Sequence, residues 1–398
     1  MDNVIFIGSV YSEDKISEYQ NKCKRGFQFA SQALQESILR GFIANDVNIK
    51  VLSFPSLPTY PHGYKEPIIK TESFKLDSKR IGFSIGRINL PILRVNFRSL
   101  SIVKQWMTGF EGKTVVFIYG LNPVYLELAS DIKKLNKSIK ICLMVPDLLE
   151  FTGVNKYYKM LGLCKRQKRI IGKYINEVDS YIFLSKYMKE KFPLRPSLIV
   201  EGIYNGGSTE DISIEKDVNK TILYTGNIDA RYGIMDLLEA FLLIKDPCCR
   251  LLICGFGDTE YKIKELSTLD SRIVFMGSLP REEILILQKK ATLLVNPRHS
   301  TEEYTKYSFP SKTIEYLASG TPTLMCKLKC IPEDYKTHLF YIEDESVEGY
   351  REAIVRVLSM DKSFLEKKGM YAKRFILKEK NCTNQVKRII NFYDTENI

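Results

Sequence analysis

Short apolar runs that alternate with longer, helix-like segments constrain the fold of this chain most strongly. In the first half these runs cover residues 4–7, 47–54, 114–118, 139–145 and 179–184. A helix is predicted between the first two, over about residues 28–40. The alternation predicts an α/β fold with parallel strands, in which functional residues gather beyond the carboxyl ends of the strands.

The second half repeats this pattern. Strands are predicted at 221–226, 250–254, 273–279, 293–297 and 323–326, and helices at 234–244, 347–358 and 364–392. A polar, glycine-rich stretch at 206–209 separates the two halves. A length of 398 residues is enough for two domains, each with its own core.

Residues 296–324 contain several neighbouring candidates for a binding site, and they predict a strand, a long loop, a short helix and another strand. Pro310 suits the first turn of that helix because it has no N–H to leave unpaired, and Gly320 suits a left-handed helix end. The free N–H groups at the helix start, aided by Lys312, form a site for a phosphate. Glu315, one turn later, can accept hydrogen bonds from paired hydroxyls such as those of a ribose.

A surface ion pair between Lys312 and Glu315 would also explain these two residues, since they lie three apart on one helix. The order of the surrounding residues favours a binding site. Ser308-Phe309, Glu315 and the run 318–322 resemble a motif of the retaining glycosyltransferases of family 4, which have the GT-B fold. The variant found here resembles a branch used in bacterial surface-polysaccharide assembly.

The resemblance implies two Rossmann-like domains that face each other across a cleft. It predicts an acceptor-binding domain over residues 1–205 and a nucleotide-sugar-binding domain over 206–375. A C-terminal helix over 376–398 would return to the first domain. Specific motifs support the resemblance over residues 220–345, whereas the first half matches only in its order of elements.

The resemblance also implies site residues. Those for donor binding are Gly8, Gly26, Gly226, Arg231, Gly255, Gly277, Arg298, Ser308, Phe309, Ser311, Lys312 and Glu315. Tyr307 stands where the family has its first glutamate, which touches the donor sugar, and Asp147 resembles a position near a polar group at that sugar. Tyr307 and Asp147 are therefore the candidate catalytic residues, although Asp147 is also a suitable helix N-cap.

The family usually places an arginine and a lysine on the donor diphosphate in the loop after the first strand of the second domain. Here Asn227 and Tyr232 occupy those positions, which leaves Arg231 as the only cation in that loop. Arg298 follows a later strand, where a structural ion pair and a phosphate contact are both reasonable interpretations.

Positive charge is concentrated in the first half. Residues 1–200 contain 31 basic and 17 acidic side chains, against 28 and 30 in the remainder. Residues 156–173 hold seven basic side chains and no acidic one, interleaved with aliphatic and aromatic residues. A nucleic-acid surface, an anionic membrane or a solvated helix would each explain this segment. The interleaved apolar residues favour the membrane, with Lys165, Arg166, Lys168 and Arg169 as the contacting cations.

Cysteine and histidine usage argues against a disulfide framework and a metal site. The nine cysteines are an odd number without Cys-x-x-Cys spacing, and the three histidines lie far apart. No Asp-x-Asp motif or long apolar run is present. We therefore expect no metal or other cofactor, no nucleic-acid partner, and a cytoplasmic protein that lies peripherally on the inner face of the plasma membrane.

The resemblance thus implies a hexosyltransferase that moves a sugar, with retention, from a nucleotide diphosphate sugar to a saccharide acceptor, which we expect to be lipid-linked, in cell-surface polysaccharide synthesis. A nucleotide-sugar 2-epimerase is one alternative, because it shares the architecture and the donor class. A catalytically silent binding protein is the other, because the family's first glutamate is missing. The donor sugar, the acceptor and the linkage cannot be read from the residues.

Overall fold

The computed structural model describes residues 1–24, 29–91, 94–97, 99–151, 163–206 and 214–396. The chain divides into two compact units. The first comprises Met1–Asn205 and Cys382–Ile398, and the second comprises Gly206–Asn381. Each unit has its own parallel or mainly parallel sheet flanked by helices.

The strands of the first unit form a large, mainly parallel sheet and a small antiparallel one. In chain order they are β1 (Asn3–Gly8), β2 (Asn48–Ser53), β3 (Ile68–Ile69), β4 (Glu72–Lys75), β5 (Ile81–Ser84), β6 (Arg87–Asn89), β7 (Arg94–Asn96), β8 (Thr114–Tyr119), β9 (Lys140–Val145), β10 (Ser180–Phe183) and β11 (Ser197–Ile199). The large sheet has the order β11-β10-β9-β8-β1-β2-β5-β4, in which only β4 is antiparallel to its neighbour among the described strands. The small sheet has the order β3-β6-β7.

Helices cover the large sheet of the first unit. They are α1 (Glu13–Lys22), α2 (Phe29–Ala44), α3 (Leu100–Met107), α4 (Pro123–Leu135) and α5 (Leu163–Tyr174). The central strand β1 is buried along its whole length, which explains why its sequence is a continuous apolar run rather than an alternating one. A 3-10 helix, Lys186–Lys191, follows β10.

The second unit is built around one parallel sheet. Its strands are β12 (Lys220–Asn227), β13 (Cys249–Phe256), β14 (Ile273–Gly277), β15 (Leu293–Asn296), β16 (Thr323–Cys326) and β17 (Phe340–Ile342). Its helices are α6 (Ile234–Leu242), α7 (Glu260–Leu269), α8 (Arg281–Lys290), α9 (Tyr304–Tyr307), α10 (Ser311–Ser319), α11 (Val347–Leu358) and α12 (Lys362–Glu379).

The sheet of the second unit has the order β14-β13-β12-β15-β16-β17. Numbered within the unit, this is the doubly wound order 3-2-1-4-5-6, and β5-β2-β1-β8-β9-β10 of the first unit follows the same order. The predicted α/β class with two Rossmann-like domains is therefore confirmed. The order reverses between β12 and β15 in the second unit and between β1 and β8 in the first, and ligands of such sheets bind beyond the strand ends at that point.

The predicted single helix over 364–392 is wrong, because the chain breaks it after Glu379. The Asn381 side chain donates to the carbonyls of Leu377, at 2.8 Å, and Lys378, at 3.0 Å, which satisfies the last turn of α12. A separate helix, α13 (Cys382–Thr395), follows and packs on α2 of the first unit. A side chain at Gly41 would lie 2.3 Å from Val386, so the glycine permits this close packing.

Candidate active site

A pocket opens at the carboxyl ends of β12 and β15, where the strand order of the second unit reverses. Its lining comprises Tyr224, Thr225, Gly226, Asn227, Tyr232, Asn296, Arg298, Lys312 and Tyr316. The lining comes from the end of β12, the loop after it, the end of β15 and helix α10. The pocket thus brings together three of the predicted donor-binding residues, Gly226, Arg298 and Lys312. A fourth, Arg231, is the chain neighbour of the lining residue Tyr232.

Two glycines allow the backbone segments around the pocket to approach closely. A Cβ atom on Gly255 would lie 1.8 Å from the Gly226 carbonyl oxygen, so β13 can press against the end of β12 only without a side chain there. Gly233 has a φ of +75°, and its Cβ atom would lie 1.9 Å from the Pro297 carbonyl oxygen. Gly255 therefore supports the end of β12 without lining the pocket. Gly277, the last residue of β14, is also outside the lining.

Helix α10 starts and ends as its sequence predicts. It follows Pro310 and ends at Gly320, whose φ of +80° is in the left-handed region. Tyr316 lies one turn after Lys312, and its hydroxyl both accepts from the Thr225 N–H at 2.8 Å and donates to the Thr225 carbonyl at 3.0 Å. This buried tyrosine ties α10 to the end of β12. Sequence reasoning missed it, although its spacing of four from Lys312 was a usable signal.

The Glu315 carboxylate lies beside the pocket with three cationic or amide partners. Lys312 Nζ is 2.8 Å and Gln288 Nε2 is 2.7 Å from Oε1, and Arg281 Nη1 is 3.1 Å from Oε2. Burial opposes the charged form, but the charges of Lys312 and Arg281 outweigh it and lower the pKa of Glu315. The ion pair of Lys312 and Glu315 therefore exists, and Lys312 also lines the pocket.

Arg298 lies in the pocket wall without a carboxylate partner in the described parts of the chain. Its guanidinium carbon is 4.7 Å from the centre of the Tyr232 ring, and the side chain is half-buried. Arg231 lies 4.8 Å from the same ring but is mostly exposed, and it is 3.7 Å from Asp229. The tyrosine that replaces the family's lysine thus holds two arginines close to it, which the sequence did not reveal.

The segment just before α10 lies mainly in the core. Phe309 is buried against Tyr335, with ring centres 5.6 Å apart, and Tyr307 is only 4% exposed. The Ser308 N–H donates to the Tyr304 carbonyl, and Ser311 is the exposed first residue of α10. None of these four described residues is part of the pocket lining.

In the first unit, the predicted Gly8 lies at the end of β1 against helix α2. A Cβ atom there would lie 2.3 Å from Gln35 Oε1, which instead accepts from the Ser9 N–H at 2.8 Å. The Gln32 side chain holds Tyr11 in the same loop, because it accepts from the Tyr11 N–H at 2.8 Å and donates to the Tyr11 carbonyl at 2.9 Å. Gln32 and Gln35 are the residues that sequence reasoning missed here, and Gly26 lies outside the described residues.

Asp147 is exposed after β9 in the first unit. It lies close enough to Tyr119, at the end of β8, for its charge to add to the effect of burial in raising the pKa of that tyrosine. Asp147 is thus near the carboxyl end of β8, where the strand order of this unit reverses. The other catalytic candidate, Tyr307, belongs to the second unit.

Helix α5 contains the described part of the predicted basic segment. Lys165, Arg166, Lys168 and Arg169 are all exposed. Ile171 is buried, and the hydroxyl of Tyr174, also buried, donates to Glu127 on α4 at 3.3 Å. The helix therefore presents its cations outward and uses its apolar side for packing. Ile171 is consequently not available for the insertion into a membrane that the sequence suggested. Residues 156–162 lie outside the described residues.

Within the described residues, no group of three or more His, Cys, Asp or Glu side chains is placed to hold a metal ion. The same residues contain no helix that is both long and apolar enough to span a bilayer.

In sequence, residues 219–360 match the model of the family described as Glycosyl transferases group 1. The second unit contains a glycosyl transferases group 1 domain. This domain includes every residue of the pocket lining, from Tyr224 to Tyr316. No curated protein matches the chain.

Solved structures share the fold of the whole chain. Sucrose-phosphate synthase from Thermosynechococcus elongatus is 13% identical, with a TM-score of 0.66 over 100% of this chain and 99% of that chain. HepE from Anabaena, solved with UDP, is 11% identical, with a TM-score of 0.61 over 99% of this chain and 100% of that chain. The lipopolysaccharide outer core galactosyltransferase WaaB is 14% identical, with a TM-score of 0.60 over 99% of both chains. These likenesses confirm the GT-B fold that accompanies the glycosyl transferases group 1 domain.

Proposed function

We propose that this protein is a retaining hexosyltransferase of family 4 that moves a sugar from a nucleotide diphosphate sugar to a lipid-linked saccharide in surface-polysaccharide synthesis. The second unit binds the donor, and the first binds the acceptor. The observation that carries the proposal is the pocket at the strand ends of the glycosyl transferases group 1 domain. Its wall offers Arg298 without a carboxylate partner in the described chain, together with Lys312 at the start of α10.

These groups suit a diphosphate. A guanidinium can bind two phosphate oxygens at once, and the first N–H groups of a helix attract negative charge. The aromatic rings of Tyr224 and Tyr232 add apolar surface to the same pocket. HepE of Anabaena, which has the same fold, was solved with UDP, and this supports a nucleotide diphosphate as the ligand class.

The chemical requirement of the reaction is to stabilise the diphosphate leaving group as the bond to the sugar breaks. Fixed cations and N–H dipoles stabilise that developing charge because they need no reorganisation during the reaction. Arg298 and Lys312 supply the cations in this proposal, and no metal ion is needed. In the first unit, which is proposed to bind the acceptor, Asp147 is the candidate catalytic residue. The sugar-contacting role of the family's first glutamate passes to Tyr307 only if that buried side chain becomes accessible.

Turnover of labelled nucleotide sugars tests the proposal against its alternatives. Wild-type protein is incubated with each donor, with and without a membrane extract, and the products are separated. We expect labelled lipid-linked product that depends on the extract, and a loss of at least tenfold for Arg298→Gln. Arg351→Gln is the matched control, because Arg351 pairs with Glu348 on α11, outside the pocket lining. An isomerised free donor would indicate the epimerase, and binding without turnover would indicate the silent protein.

The membrane part of the proposal rests on two features of the first unit. One is the set of exposed cations on α5, which gives Coulomb attraction to anionic lipid. The other is the small sheet, in which Ile68 and Val95 both pair with Ile88 and so share one face. Ile68 is 56% and Val95 is 47% exposed, and Phe97 after β7 is 39% exposed. This face supplies apolar side chains for a lipid surface.

A further inference from the structure

The backbone on both sides of Arg298 is held by side chains from neighbouring elements. The Pro297 carbonyl accepts from the Tyr350 hydroxyl of α11 at 2.7 Å, and Gly233 lies against the same carbonyl. The Ser300 N–H donates to both Glu345 oxygens, at 3.0 and 2.9 Å. The loop that contains Arg298 is thus fixed at its first and last positions.

His299 lies between two carboxylates. Its Nε2 is 2.9 Å from Asp236 Oδ2 on α6, and its Nδ1 is 3.2 Å from Glu345 Oε2, which precedes α11. An ionised carboxylate only accepts hydrogen bonds, and the imidazolium is the one form of the ring with two N–H donors, so the imidazolium form satisfies both contacts at once. The His299 ring also meets Tyr350 edge-on, at 5.9 Å between ring centres.

Arg298, the neighbour of His299, lies against an aromatic ring rather than between carboxylates. The described residues give it a tyrosine ring but no hydrogen bond or ion pair. Asp236 and Glu345 already bind His299, and Glu345 also binds the Ser300 N–H. The two acids that the 297–300 loop approaches are therefore occupied by the histidine.

We propose that His299 is a positioning residue for the donor diphosphate. As an imidazolium bound to Asp236 and Glu345, it fixes residues 297–300, so that the guanidinium of Arg298 is held in the pocket wall, where it can meet a phosphate. This inference rests on the proposed donor site. It adds a requirement that the proposed function alone does not contain, namely that a residue outside the pocket lining controls diphosphate affinity through Arg298.

A double-mutant cycle tests the inference. Calorimetry gives the dissociation constants of UDP, GDP and ADP and of their nucleosides for wild type, Arg298→Gln, His299→Gln and the double variant. We expect His299→Gln to weaken the best-bound diphosphate about tenfold and to leave its nucleoside unchanged. In the Arg298→Gln background the same change should cost less than twofold, because a partner that acts through Arg298 has nothing left to position.

The controls separate positioning from a general structural role. His62→Gln makes the same substitution at an exposed position of the first unit and should bind as wild type does. Glu345→Gln removes one of the charges that hold the histidine and should weaken the diphosphate in the same direction, which keeps the test decisive if His299→Gln does not fold.

Two results would overturn the inference while the donor site stands: a His299→Gln protein that binds the diphosphate like wild type, or losses that add fully in the double variant. If wild type binds none of the three diphosphates, the donor site itself is refuted, and the role of His299 is refuted with it.

Discussion

Glu315 illustrates how one residue can satisfy two interpretations of a sequence. Its carboxylate holds Lys312, Gln288 and Arg281, so the ion pair expected of a solvated helix is present. Yet the side chain is only 12% exposed, and it lies beside a pocket rather than on an open surface. A ribose would add its hydroxyls to oxygens that are already charged and oriented.

Glu315→Gln should weaken donor binding, because a neutral amide replaces a charged acceptor. Hydrogen bonds to charged groups contribute about 1.5–3 kcal/mol, so the dissociation constant should rise about tenfold or more. Calorimetry on the folded variant measures this. Glu283→Gln on α8 is the matched control, because Glu283 is exposed. Unchanged donor affinity at position 315 would leave the residue a purely structural one.

Lys312→Ala should lose affinity for the nucleotide diphosphate while keeping the weak binding of the free nucleoside. The ammonium lines the pocket and acts on phosphate charge, which the nucleoside lacks. Titrating both ligands against wild type and variant gives the two ratios. Equal losses for both would show that Lys312 only supports Glu315.

His299 predicts a pH dependence of stability. Burial lowers its pKa, but the bonds and charges of Asp236 and Glu345 outweigh this and raise the pKa above its ordinary value of 6.5. The stabilisation is therefore fully present below the unfolded pKa and is lost as the pH rises through the folded pKa. The groups that face His299 are Asp236 on α6, Glu345 before α11 and Tyr350 on α11.

Urea unfolding of wild type and His299→Gln at pH 6 and pH 9 measures this effect. We expect wild type to exceed the variant in stability by more at pH 6 than at pH 9. Equal differences at both pH values would mean that the imidazolium adds nothing to folding.

At the scale of elements, sequence reasoning succeeded where a period or a cap determines the local structure. Helix α10 begins and ends where Pro310 and Gly320 predict. Strands β1, β8 and β9 follow from continuous apolar runs, and β2 and β12 follow from runs that mix apolar with polar residues. Among the elements that sequence reasoning did not predict are the helices α1, α3, α4, α7 and α8 and the strands between residues 68 and 96. Those strands are two to four residues long, and they are stabilised by pairing with partners rather than by their own pattern.

The site was harder to predict than the fold, because its contacts join distant residues. Arg298 and Tyr232 are 66 positions apart, and Gln288 reaches Thr225 and Glu315 from a third element. Spacing along a helix reveals Lys312 and Glu315, which share one element. No local pattern shows that the ring of Tyr232 would pack against an arginine from the loop after β15.

Helix α5 should bring the protein to anionic membranes through its charge. Replacing Lys165, Arg166, Lys168 and Arg169 with Gln should release the protein from vesicles that contain anionic lipid, since each basic residue near such a surface contributes on the order of 1 kcal/mol. Transfer to lipid acceptors should slow, and donor binding should not change. Vesicle flotation at low salt measures the first effect.

The control for α5 neutralises four exposed lysines elsewhere in the same unit: Lys75, Lys79, Lys104 and Lys113. Release by both sets to the same extent would assign binding to net charge rather than to the helix. Wild type that stays in the soluble fraction would leave α5 a solvated face.

At the scale of the whole molecule, turnover should not depend on a metal ion. The proposed donor site uses Arg298, Lys312 and the start of α10 to balance the diphosphate charge, as a divalent ion would otherwise do. Activity measured with and without EDTA should agree within twofold. Activity that is lost in EDTA and restored by magnesium or manganese would contradict this prediction.

The chain enters the second unit at Gly206 and leaves it at Asn381, so that the second unit is continuous while the first is made from two separated segments. During synthesis the residues of the second unit therefore emerge together, and that unit can fold as soon as they do. Helix α2 of the first unit lacks its packing partner, α13, for longer. Val386 of α13 can pack against Gly41 of α2 only after α13 has been synthesised. The first unit therefore completes its core after the second, although its synthesis begins earlier.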